Sequence, residues 1–168
     1  MEESTISLII SCVAILLAVF AILMAGKKTV IQSGENFNTI PLQLQAYERL
    51  VMLCERIAIP NLISRTSQFD LSAREMQMIL IENIKQEFDY NTSQQIYVTA
   101  LAWDAIRNLK DQSMLIINQV SGMLSADAKA SDLNKKLLEL MINHQDQSLH
   151  TIVSDALNFE AKKLMSSK

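Results

Sequence analysis

Residues 4–26 carry no charged side chain, and 6–24 are almost wholly apolar. No other feature of the chain restricts its fold as much. A helix needs roughly 20 apolar residues to cross the hydrocarbon core of a bilayer, and this run is long enough. A helix buried in a protein core normally keeps a polar face, whereas here Ser7 and Ser11 are the only hydroxyl-bearing residues in the apolar part. A cleaved signal peptide would open on basic residues and end at a small-residue cleavage site. This chain opens on Glu2 and Glu3 and places Lys27 and Lys28 after the run. The pattern predicts an uncleaved transmembrane anchor and its flanks over 1–28, crossing the membrane once and touching lipid along 4–26, with Phe20 among the lipid-facing residues. The positive-inside bias puts the N-terminus outside and the remainder in the cytoplasm. With no ionisable group in the span, the segment reads as an anchor and not as a transport path.

A short polar linker, 29–38, holding Gly34, leads from the anchor into a domain over 39–168. That length buries a modest core without metals or disulfides. The whole chain has only three glycines and two prolines, too few for the closely spaced turns of a sandwich or barrel, so the fold class is all-α. Thr39-Ile40-Pro41 reads as a helix start. Ile40, Tyr47, Leu50, Cys54 and Ile57 then recur at helical spacing, with Leu44, Val51 and Ala58 widening the stripe. Pro60 should end or kink this helix, with Leu62 and Ile63 carrying the apolar face a turn further. Ser72-Ala-Arg-Glu75 is a capping-box pattern, followed by Met76, Ile79, Leu80, Ile84 and Phe88 on one face. A third helix is expected to open at Asn91 or Thr92, with Ile96, Ala100, Trp103, Ile106, Ile116, Val120 and Leu124 inward and Gly122 near its end. A fourth should start at Ser131-Asp132, bury residues from Leu133 to Leu164, Ile152 and Ala156 among them, and close on Lys162, Lys163 and Lys168. The sum is an antiparallel bundle of about four helices after the anchor. One conflict is visible: a third helix running from 91 to 124 would span about 50 Å, against about 27 Å for the second. It must therefore break near 110–113 or project beyond its neighbours.

The chain offers little to chemistry. Its net charge is −3 and the domain has no basic block, which argues against nucleic-acid binding. Cys12 lies in the anchor and Cys54 in an apolar stripe, so both read as small buried hydrophobes. His144 and His150 are six residues apart and point to different faces of a helix, so they do not make a metal pair. Neither has Glu three residues before it, where Met141 and Gln147 stand, so the Glu-x-x-His pattern of di-iron bundles fails. Gly-rich phosphate loops are absent. Glu82, Glu87 and Asp89 read as a solvated acidic helix end, Trp103 as a core residue, and the nine methionines as adaptable packing. No catalytic residue, cofactor or metal is expected.

One pattern is more specific. Gln43-Leu-Gln-Ala-Tyr-Glu-Arg-Leu50 is followed seven residues on by Glu55-Arg56-Ile57, which aligns Glu48 with Glu55 and Arg49 with Arg56 along adjacent helix rails. Together with the apolar anchor and Pro60, this segment resembles an uncharacterised family of small, single-pass, membrane-anchored helical proteins from Bacteroidota. The resemblance extends over most of the chain, and it implies bacterial inner-membrane placement but no activity. From the residues, the expected function is a non-enzymatic inner-membrane protein that binds a partner protein or itself, as a scaffold or accessory subunit of a membrane complex. Its expected contact face is Glu48, Arg49, Met52, Glu55 and Arg56. The alternative is a small-molecule or lipid sensor with a pocket in the bundle near Trp103 and Cys54.

Overall fold

The computed structural model describes residues 39–66, 70–143 and 149–166. The predicted anchor (1–28), the linker (29–38) and His144 lie outside the described residues. Among the described residues no helix is long and apolar enough to cross a membrane, and the regular structure is helical: six α-helices and one 3₁₀ turn.

Helix α1 (Ile40–Ile57) begins after Thr39 and takes Pro41 into its first turn, where a missing N–H costs no helical hydrogen bond. It buries Tyr47, Leu50, Leu53, Cys54 and Ile57. At Ala58 the backbone turns extended (ψ 125°), and α2 (Ile59–Thr66) restarts with Pro60 in its first turn, so the proline ends one helix and begins another. Helix α3 (Ala73–Asn91) opens on the expected capping box: the Glu75 amide donates to Ser72 Oγ (3.3 Å), and the Ser72 amide donates to Glu75 Oε2 (2.9 Å). The carboxyl of Glu75 is held below its usual range, chiefly by the Ser72 hydroxyl.

The third predicted helix is different in the structure. Residues Thr92–Ile96 form the 3₁₀ turn, and α4 (Ala100–Gly122) begins anew at Thr99. There the Ala102 amide donates to the Thr99 hydroxyl oxygen at 3.1 Å, an N-cap that satisfies an amide left free at a helix start. Ile96, expected in the core, is 73% exposed, and Ala100 is exposed as well. Nor does α4 break at 110–113. Ser113 is buried, and Lys110 lies over the Phe88 ring with Nζ 4.7 Å from its centroid, so the polar stretch packs instead of interrupting. At 1.5 Å per residue α4 is about 34 Å long and α3 about 28 Å, so the predicted mismatch of lengths shrinks to about 6 Å.

The single fourth helix is two. They are helix α5 (Ala130–Asn143) and α6 (Leu149–Ser166), and the run between them, 144–148, lies outside the described residues. The two helices pack on different neighbours: α5 against α2, α3 and α4, and α6 against α1 and α4. Ile152 and Ala156, expected inside, are exposed, whereas Val153 and Leu157 are buried.

Helix α1 is the hub, in contact with α2, α3, α4 and α6. Leu50 and Ile57 of α1 are all but fully buried, as are Leu80, Ile106 and Leu157 on the helices it contacts. Two polar devices fix the register. Tyr47 donates to Glu160, and the Thr99 hydroxyl donates to the same Glu160 oxygen at 2.8 Å, tying α1, the start of α4, and α6. At the other end a two-residue antiparallel bridge joins the starts of α3 and α5, through the Ala73 amide to Ala128 O (2.9 Å) and the Ala130 amide to Leu71 O (2.8 Å).

Candidate partner-binding groove

Arg49, Met52, Leu53 and Arg56 recur at three- and four-residue spacing on α1, so they share a face. Across from them stand Gln86, Glu87 and Tyr90 of α3. The two rows bound an open groove of about 700 Å³ with Leu53 as its floor. Arg56 Nη2 lies 2.5 Å from Glu87 Oε1. Arg65 of α2 adds a second bond to the same carboxylate (3.4 Å) while its other nitrogen donates to the carbonyl of Arg56 (2.7 Å). The carboxyl of Glu87 is therefore held below its usual range, first by the hydrogen bond from Arg56. The Arg49 guanidinium sits 5.2 Å from the Tyr90 ring centroid, within cation–π range. Met52 is 54% exposed and Tyr90 74%.

The structure thus brings together three of the five predicted contact residues, Arg49, Met52 and Arg56, and leaves two apart. Glu48 is exposed but does not line the groove. Glu55 turns to the other side of α1, where Asn61 Nδ2 donates to its carboxylate (3.3 Å) and its backbone carbonyl (3.0 Å). His150 Nε2 lies 3.2 Å from the Glu55 carboxylate, within ion-pair distance but without hydrogen-bond alignment. The two rails are real, and they face different neighbours. Glu87, read from sequence as part of a solvated acidic end, is a shielded partner of two arginines, its side chain 15% exposed. Leu53, Gln86, Glu87, Tyr90 and Asn91 complete the groove, and sequence reasoning assigned none of them to it. The Arg49/Arg56 doublet signals a need for carboxylate or aromatic partners, but nothing local says which helix supplies them.

The residues suspected of other roles sit in the core. Cys54 is fully buried, and burial, reinforced by Glu55, pushes its thiol up to about 12. A thiol so held stays protonated at neutral pH and is a poor nucleophile. Trp103 is 7% exposed and packs on Phe88 with ring centroids 5.1 Å apart. Among the described residues no group of three or more His, Cys, Asp or Glu side chains is placed to hold a metal.

A family of unknown function, DUF7935, matches residues 3–164, and the chain belongs to that family. No curated protein and no solved structure matches it.

Proposed function

We propose that this protein is a membrane-anchored docking module, which binds a partner protein in the α1–α3 groove and performs no chemistry of its own. The observation that carries the reading is the pairing of exposed Met52 and Tyr90 with Arg49 and Arg56 in one groove. Tyr, Met and Arg are the residues enriched where proteins meet. The Arg56–Glu87–Arg65 cluster fixes the groove wall, so a partner meets a surface that is already ordered. Anchoring is supported by the uncharged run 4–26, which the family match includes because it starts at residue 3. Confinement at a membrane raises the effective concentration of one anchored protein toward another, so a modest groove can be sufficient. The lysine pair 27–28 and the resemblance to anchored proteins of Bacteroidota support the inner membrane with the helical domain on the cytoplasmic side.

The test is a photo-crosslinking amino acid placed at position 52 of the full chain in its own membrane. A discrete adduct of defined mass is expected from position 52 and none from Lys163, which is exposed near the end of α6. Equal labelling from both positions would mean that the groove has no specific occupant.

A further inference from the structure

The ridge of α1 that borders the groove carries a charge pattern complementary to itself. At 3.6 residues per turn, Glu48 lies about 40° to one side of Met52 around the helix, and Arg49 about 60° to the other. Met52 is 54% exposed, Glu48 is exposed, and so is Gln45, one heptad before Met52. Neither charge is answered within the fold. Among the described residues Glu48 has no ion pair, and Arg49 meets the Tyr90 ring but no carboxylate. The second Glu-Arg step is already engaged, Glu55 by Asn61 and Arg56 by Glu87. Only the first is left to recognise something outside the fold.

A second copy of the same ridge supplies both missing charges. When two such helices pack in parallel about a twofold axis, Met52 faces Met52 across the seam. The acidic flank of each helix then meets the basic flank of the other, so Glu48 faces Arg49 of the second copy, and the symmetry makes that contact twice. An antiparallel pair centred on Met52 fails, because it sets Glu48 beside Glu55 of the second copy and Arg49 beside Arg56, like charge against like. A purely acidic partner would answer Arg49 and repel Glu48, and a purely basic one would do the reverse. Building on the docking role proposed above, we infer that the occupant of this face is a second copy of the chain, paired through parallel α1 helices by reciprocal Glu48–Arg49 contacts. Confinement of both copies to one membrane raises their effective concentration toward each other.

The experiment co-expresses two differently tagged full-length copies in their own membrane, with the photo-crosslinking amino acid at position 52. An adduct of twice the chain's mass carrying both tags is expected. A discrete adduct of any other mass overturns the second copy and leaves the docking face standing, whereas no discrete adduct at all overturns both. From position 45 the crosslink should map to the neighbourhood of Gln45 in the second copy, and mapping near Ile59 would overturn the parallel sense. Arg49→Glu in both copies, or Glu48→Arg in both, should cut the doubly tagged yield about five-fold or more. Arg49→Glu in one tagged copy with Glu48→Arg in the other should restore it, since each then carries the charges the other lacks. Thermal melts check that the variants fold, and should Arg49→Glu melt early, Glu48→Arg tests the pair from the exposed position alone. A yield indifferent to the reversals, or one that the two folded variants together do not restore, overturns the reciprocal pair.

Discussion

Glu87 shows how one side chain can be misread from sequence and what its surroundings then make of it. In the sequence it belongs to an acidic helix end. In the fold it accepts from Arg56 and Arg65, and its carboxyl is held below the usual range. A carboxyl with a lower pKa folded than unfolded contributes stability that is present above its unfolded value and is lost as pH falls through its folded value. Glu87→Gln should therefore lower the melting temperature at about pH 7, and the gap from the parent chain should close as pH drops below about 4.3, the ordinary glutamate value. A gap that stays constant with pH would mean that the carboxylate charge contributes nothing. Trp103 is the opposite case, because an aromatic at helical spacing is legible as core and the structure buries it against Phe88. Trp103→Ala should cost about 3–5 kcal/mol in chemical denaturation, and a loss under about 1 kcal/mol would mean the site relaxes around the missing ring.

The helices were legible where the cause of an end is local. Pro60 stops α1 because of its own ring, and Ser72 with Glu75 caps α3 by bonds within four residues. Ends set by tertiary contact were not legible. Thr99 lies inside a run whose apolar spacing continues from Ile96 through Trp103, so periodicity alone reads through it. Its role as a cap is fixed by Glu160, which accepts from its hydroxyl from across the fold, on α6. The same limit applies to 110–113, where Lys110 lies over the Phe88 ring and Ser113 is buried, so polar residues that look like a break are packed. Thr99→Ala should destabilise the chain by about 0.5–2 kcal/mol, the usual value of an N-cap, and Thr99→Ser should restore most of it. Equal stability of the alanine and serine variants in thermal melts would remove the hydroxyl from the account.

Residues from Thr39 onward form one unit around α1, whose core is closed by contacts among its own helices. Fragment 35–168 should therefore be soluble, strongly helical and cooperative on melting. A non-cooperative melt would show that the domain needs lipid or a partner to fold. The charge bias at 27–28 predicts that a reporter active only in the cytoplasm, fused after Lys168, is active. Activity from a periplasm-only reporter would reverse the proposed orientation. The all-helical class was readable from the scarcity of glycine and proline and from the apolar stripes. The groove was readable on its α1 side only, because its α3 side is brought there by folding.

The proposed function depends most on the groove acting as a binding surface and not merely as a solvated face. Arg56 is unsuited to test this, since its reversal would also break the pair with Glu87. Arg49 and Tyr90 are better placed: Tyr90 is 74% exposed and Arg49 half-buried, and a cation–π contact near the surface contributes only about 0.5–1 kcal/mol. The decisive measurement is association and thermal melting, on the same preparations of the full chain, for Arg49→Glu combined with Tyr90→Ser. The account predicts loss of the partner adduct formed at position 52, with a melting temperature close to that of the parent chain. An adduct of undiminished yield in a variant that melts normally would contradict it.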